Sequence, residues 1–564
     1  MDYHHYQPAI AGYITSTNNS YTVIEDENHL HIGPTLTSSS LHQNESIQNG
    51  ADVHSDSNKT QHILFTDPKH CAFNIENQQN SSNLCDKIHV IIQARDQLKT
   101  NKKIGGDYFR AKIYNTKLKA SAPTDGEVID HNNGSYSAYF TVRWRGSTFI
   151  NVQLVHSSEA VAAMKRVREA NPIRMVYNGI FQQKKAKVNG QCHVQLSSAN
   201  ELCNFTDKLT GEPWFCIKPK NLPCSTYTLH SVNKKLGGRL TAAMFTRNET
   251  HLFSDIKRSI EMCIRDSAEI AIYEMKANVN NNSPRKVFLF RKADNVKSYK
   301  DTICVESTTE CRPVTNSAKP EKKIAAGYYF QDKWYSNDCT LKNISVQSAL
   351  TSKLLTNKRF YFYGDSTLRQ WFEYFAASIS DASIVQAAPG ATLKTGPLRA
   401  TSKKYNLTFM YRHHAFPIRT TPIFVKNVAY AANEIDNISA DENTIICLCF
   451  FAHFTPTELH VYRRRLETTK ASLLRLYKRS PETLVFLKTP NTNTYAGAVT
   501  SVDYGDWVSL MLDKELRKVM AEIPNLTIID VWDMTTNHRL GENLHPPRPI
   551  IQQEIQLMLS LIFA

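Results

Sequence analysis

The sequence predicts a multidomain protein: an all-β antiparallel sandwich in the N-terminal half, then an α/β domain whose three layers surround a mostly parallel sheet. Length, turn spacing and a change of hydrophobic period point to it. The 564 residues allow three or four domains at roughly 150 residues each, and a composition 41% hydrophobic with 10% aromatic fills real cores. Between Cys71 and Glu159, short alternating apolar runs are separated by turn pairs, the habit of an antiparallel sandwich. Beyond Lys358, β-forming runs alternate with helical ones, which implies parallel strands covered on both faces.

Residues 1–62, rich in Ser, Asn, His and Thr with little apolar periodicity, read as a flexible leader; His4-His5 within it lack a third ligand at metal-binding spacing. The sandwich and a Cys-rich tail are expected over residues 63–230. Strands are read at 88–94, 108–115, 135–144 and 148–155, with Asp125-Gly126, Asn133-Gly134 and Arg145-Gly146 as turns. A helix follows over 158–169. The tail around Trp214, ending near Cys224, is too poor in apolar residues to hold together without bridges. Residues 231–318, with a clear loop at 278–282, read as a connection. The second domain, 319–564, opens around Gly327-Tyr328-Tyr329 and Trp334-Tyr335 and passes Cys339. Its strands are expected at 359–363, 444–451, 484–488 and 526–531, and a helix over 458–477 gathers Leu459, Tyr462, Leu466, Leu473 and Leu476 on one face.

The formal charge of +15 favours acidic partners. The cations are dispersed, no aromatic RNA-binding motif or zinc-finger spacing accompanies them, and nucleic acid is set aside in favour of anionic glycan or lipid. Their densest run, Arg463-Arg464-Arg465, reads as a solvated helix face. Twelve cysteines, most of them upstream of residue 359, suggest disulfides and an oxidising compartment. Cys192, Cys203, Cys216 and Cys224 allow three pairings, which the sequence does not choose between. A high density of Asn-x-Ser/Thr acceptors points to the secretory route. Met1–Ile10 lacks the pattern of a signal peptide, so either a preceding segment is missing or the compartment differs. No apolar run approaches the roughly 18 residues that span a bilayer, and the longest, 444–454, fits a buried strand.

Candidate chemistry centres on the stretch KRFYFYGDSTLRQWFEYF over 358–375. Arg359 to Tyr363 are β-formers, Gly364-Asp365 is a turn pair, and Leu368, Trp371, Phe372 and Phe375 recur at helical spacing. Ser366 therefore stands at a helix start, where unpaired N–H groups and the positive dipole end can meet an oxyanion; a plain capping role for Ser366 or Asp365 competes. Near the chain end, GENLHPP (541–547) puts His545 on a loop held by prolines and by a helix carrying Ile551, Ile555, Met558 and Ile562. Serine needs such a histidine to remove its proton. Glu542, three residues before His545, is the first candidate to orient the ring, with Asp530 and Asp533 at a strand end as rivals. For the oxyanion and substrate, the candidates are Gly364, Asp365, His453 in the stretch after the third strand, and Asn491. Gly390 or Gly396 could offer a backbone N–H. Lys488 and Asn491 either line the cleft or end a strand. His413-His414 read as surface, and Cys447 and Cys449 as buried thiols. No metal or phosphate-loop spacing appears, so neither metal nor cofactor is expected.

The run GSYSAYFTVRWRGSTFINVQLVHSSEAV (134–161), followed by CNFTDKLTGEPWFCIKPKNLPC (203–224), resembles the neurexophilin-type module of the neurexophilin and PC-esterase domain family, and the resemblance covers most of residues 70 to 560. It implies an immunoglobulin-like sandwich followed by a PC-esterase module. That module is similar to SGNH-type esterases, with GDS near its start and D-x-x-H near its end. Two positions depart: Glu542 replaces the aspartate, and the third block, which normally carries a small residue or asparagine, has His453. The implied function is a secretory-pathway glycan O-acetylesterase or O-acetyltransferase, since relatives include plant polysaccharide and animal sialic-acid O-acetyltransferases. A glycan or glycoprotein acyl substrate, acidic to match the basic chain, would then be the partner. The alternative is a secreted or cell-surface binding protein whose esterase module has decayed, the sandwich serving as ligand for a receptor; the two departures favour it, and the intact GDS and HPP oppose it.

Overall fold

A computed structural model describes residues 64–76, 84–145, 148–197, 201–253, 269–270, 303–305, 307–312, 325–420, 422–493 and 497–563. The expected leader over 1–62 and the expected loop at 278–282 lie outside the described residues.

Alternation builds the sandwich. Strands Lys87–Gln93, Tyr108–Asn115 and Thr148–His156 bury every second residue, and the buried faces of two antiparallel sheets meet. One sheet runs Ala72–Glu76, Lys87–Gln93, Ser135–Thr141, Ile129–Asp130; the other contains Thr148–His156, Tyr108–Asn115 and Ala120–Pro123. Val90, Ile92 and Phe140 from the first meet Phe109, Ile113 and Val152 from the second around fully buried Trp144. The helix expected next runs Ser158–Ala170, capped by the Ser157 side chain.

The hairpin Gly327–Phe330 and Lys333–Ser336, read from sequence as the opening of the second domain, extends the sandwich instead. Tyr329 pairs antiparallel with Ser121, while Tyr329 and Trp334 pack into the α/β core. Residues of the expected connection also return to the sandwich: Glu269–Ile270 pairs with the start of Thr148–His156, and Cys304 is bonded to Cys85. Apolar faces, not chain order, decide which sheet a strand joins.

The Cys-rich tail forms a third sheet. Cys192 and Cys216 face each other in register and are bonded, and Cys203 bonds Cys224, which selects one of the three pairings. Its last strand, Ile423–Phe424, comes from the α/β module, and Trp214 stacks on Phe416 of that module at 4.5 Å.

In the α/β module a seven-stranded sheet is mixed. Leu407–His413, Arg359–Gly364, Thr444–Cys449, Leu484–Lys488 and Leu526–Ile529 run parallel in that spatial order; Ser383–Gln386 and Leu398–Ser402 add an antiparallel edge. Every residue of Thr444–Cys449 is buried, Cys447 and Cys449 included, so both faces of the sheet are covered.

Charge locks the modules together. The reading of Arg463-Arg464-Arg465 as a solvated face is corrected at Arg465, which is 0% exposed and pairs with Glu212 of the Cys-rich tail at 2.7 Å. Its remaining N–H groups go to the carbonyls of His414 and Phe416. Arg174 and Asp503 form a second buried pair at 3.1 Å, and Arg168 donates to the carbonyls of Thr455, Val502 and Thr457. Removing one partner of a buried pair strands the other charge. Glu212→Ala should therefore cost about 3–5 kcal/mol, read as a lowered denaturant midpoint, whereas Arg464→Ala on the exposed side of the same run should change it by about 0.5 kcal/mol or less. Equal effects of the two substitutions would refute the assignment.

Candidate active site

The Arg359–Gly364 strand lies inside the parallel set, and groups that act on ligands gather at the carboxyl ends of such strands. Gly364 must be glycine there: a Cβ would stand 2.6 Å from the Cys449 carbonyl oxygen. The competition for the cap is won by Asp365. Its Oδ1 accepts from the Thr367 N–H at 2.8 Å and from Thr367 Oγ1 at 2.7 Å, and its Oδ2 accepts from the Ala452 N–H at 2.6 Å. Ser366, first residue of the helix Ser366–Ala377, is thereby left to other work. Its Oγ lies 2.8 Å from His545 Nε2.

His545 is held by its own backbone neighbourhood. Buried Asn491 donates to the Leu544 carbonyl at 2.7 Å, and Gln370 on the helix Ser366–Ala377 donates to the Pro546 carbonyl at 3.0 Å. Asn491 is itself fixed by Lys488 Nζ at 2.9 Å. The sequence offered Lys488 and Asn491 as cleft residues or as the end of a strand; Lys488 does end the strand Leu484–Lys488, and the two together anchor the loop that carries His545. Gln370 was missed, because nothing in a helix-surface glutamine announces a loop carbonyl far along the chain.

The structure does not bring the acidic candidates to the ring. Glu542 gives both oxygens to Arg110 of the sandwich, at 2.8 and 3.0 Å. Asp533 accepts from the Ala326 N–H at 2.9 Å, and Asp530 pairs with Arg517 at 2.6 Å. The hydrogen bonds seen at His545 run to Ser366 and, from its backbone N–H, to Asn543.

His413 and His414, read as surface residues, are buried, a correction with a clear cause: they end the Leu407–His413 strand beneath the 387–397 loop and the Arg465 side chain. His413 Nε2–H donates to the Lys394 carbonyl (3.2 Å), and His414 Nε2 meets His453 Nδ1 at 3.0 Å. Burial lowers the pKa of His413 to about 4 and those of His414 and His453 well below the ordinary value, so all three rings are neutral. His453 thus belongs to a neutral cluster at the ends of the two strands flanking Arg359–Gly364. The Ala452 N–H beside it is committed to Asp365. Gly390 turns with φ +77° against Phe424, and Gly396 packs on Tyr411.

At His545 desolvation by the surrounding protein is the largest influence and lowers the pKa, an effect tempered because the residue is exposed; Asp365 opposes the lowering and Arg369 and Lys488 add to it. The imidazole is neutral at physiological pH and able to accept the Ser366 proton. Among the described residues no cluster of His, Cys, Asp or Glu could hold a metal ion.

Fold and site together define a two-module protein, a β-sandwich with a disulfide-bonded tail locked onto an α/β module that carries a Ser–His pair. Residues 46–255 match the family described as Neurexophilin, and residues 334–562 match the NXPE family member 4-like, C-terminal domain. The chain belongs to the NXPE family, with an N-terminal neurexophilin module and a C-terminal NXPE module. Four disulfides among the described residues fit an oxidising compartment. Among the described residues no helix is long and apolar enough to cross a membrane.

A base that works only while neutral loses activity as pH falls through its pKa. Because the His545 pKa is lowered, any reaction that uses its imidazole as base should hold level below neutrality and fall along an acidic limb centred under the ordinary histidine value of about 6.5. Arg369→Gln removes a cation that disfavours the imidazolium, so the midpoint should move upward. A limb unmoved by that substitution would assign the titration to another group.

Proposed function

We propose that this protein is an acyl-ester hydrolase or O-acyltransferase acting on O-acetyl groups of glycans in the secretory pathway, with Ser366 as nucleophile and His545 as general base. The 2.8 Å approach of Ser366 Oγ to His545 Nε2, made by residues 179 apart in sequence, carries the reading. A site without function gains nothing from keeping together two side chains that come from opposite ends of the α/β module. Numbered in sequence order, the five parallel strands stand 2-1-3-4-5 in space, the doubly wound order that supports an SGNH-like three-layer module, and the paired sheets of the sandwich support an immunoglobulin-like one.

His545 takes the proton as Ser366 Oγ attacks the acetyl carbon. The oxyanion is met at the helix start, where the Ser366 N–H has no intrahelical partner, and beside the flanking strand ends where His453 stands. The sugar oxygen then leaves with the proton from His545, and an acetyl-serine remains. Water completes hydrolysis; a second sugar hydroxyl completes transfer. With Glu542 on Arg110, the loop anchors Asn491 and Gln370 orient the imidazole, which makes the site a Ser–His dyad.

A second reading, a binding protein with a silent esterase module, is favoured by those same commitments of Glu542, Asp530 and Asp533. One variant separates the two. Ser366→Ala should lower acetyl-ester turnover by at least about a thousandfold with thermal stability unchanged, since nucleophile and base act as a unit. Full activity in the folded variant would end the nucleophile assignment, and a folded wild-type chain inert towards acetylated glycans would favour the binding reading.

A further inference from the structure

A cavity of about 380 Å³ lies where the sandwich meets the α/β module, within the range of roughly 300–1,000 Å³ typical of small-molecule sites. Tyr108, Arg110 and Gln153 line it from the sandwich, and Trp507, Trp532 and Glu542 from the α/β module. Trp507 is partly exposed and Trp532 nearly buried, so apolar ring surface is offered beside planar polar groups. The charged lining nearly cancels, with four cations against five carboxylates, and Arg110 is already neutralised by Glu542 and Asp506. Such a wall does not favour a phosphate or another strongly anionic ligand.

Two buried polar atoms of these wall residues, Tyr108 Oη and Arg110 Nε, have no hydrogen-bond partner among the described residues. Both are donors: Arg110 is always charged, and burial raises the Tyr108 pKa so that the phenol keeps its proton. Buried donors without partners are costly, and a small turn of either side chain towards the cavity would let an oxygen-rich ligand satisfy it. A ligand that presents a C–H face to an indole and adjacent hydroxyls to an amide, a guanidinium and a carboxylate is a pyranose sugar.

We propose that the cavity at the module junction binds one saccharide unit. Glu542 stands on its wall and His545 follows three residues later, so a glycan held there can extend towards Ser366. As a substrate subsite the cavity rests on the esterase reading above; as a sugar site it does not.

The full chain carrying Ser366→Ala, unable to turn substrate over, is titrated with lactose and 3′-sialyllactose by calorimetry and saturation-transfer NMR. At least one sugar should bind, and Trp507→Ala and Gln153→Leu in that background should each weaken binding at least about tenfold, the loss of one good polar or stacking contact. Gln153→Leu keeps the side-chain volume and guards against a Trp507 variant that fails to fold. The proposal is overturned if neither sugar binds, if affinity is unchanged in the folded variants, or if inorganic phosphate displaces the sugar. Sugar binding lost in the variants of a chain whose wild type has no esterase activity would leave the site standing and remove only the catalytic reading. An active enzyme that binds neither sugar would do the reverse.

Discussion

One buried carboxylate fixes the centre of the α/β module. Asp365, fully buried at the end of the Arg359–Gly364 strand, satisfies its charge with three donors: the N–H and hydroxyl of Thr367 and the N–H of Ala452. From the other flank, Tyr411 Oη donates to the carbonyls of Gly364 and Asp365, each at 3.3 Å. The Gly-Asp-Ser turn is therefore tied to both neighbouring strands. Because Asp365 performs the capping, Ser366 needs no local partner, and its hydroxyl points the site's chemistry outward.

The same economy of position governs the module junction. A surface between independent modules would be polar and wet, but here guanidinium groups of Arg174 and Arg465 are taken out of water entirely. Buried pairs of this kind contribute little net stability and penalise every alternative docking, since any other arrangement strands a charge. The junction reaches the site through Arg110, whose grip on Glu542 connects a sandwich strand to the loop that presents His545.

What the sequence disclosed follows the range of the physics involved. Strands with period two and the helix over Leu459–Arg479 were legible because burial repeats along the chain itself. The Gly-Asp-Ser turn was legible because strand, turn and helix are contiguous. The roles of Arg465 and Glu542 were not: the partner of Arg465 lies 253 residues away and that of Glu542 lies 432 residues away. A carboxylate three residues from a histidine suggests a local pair, and the structure gives it a distant cation instead. His413 and His414 misled for the same reason, since nothing adjacent in sequence shows the 387–397 loop and Arg465 closing over them. The hairpin at residues 327–336 was recognised as β-structure but not as part of the first sandwich, since its hydrogen-bond partner was chosen by the space left beside Ala120–Pro123.

That hairpin bears on how the protein is made. A ribosome delivers the chain from its N-terminus, and domains ordinarily fold in that order. Here the Ala120–Pro123 strand remains an open edge until residues 327–336 have emerged, and Cys85 waits as long for Cys304. An open edge is a template for pairing with other chains. The first module is thus finished only as the second begins to appear, so the nascent chain carries an exposed edge until residues 327–336 close it.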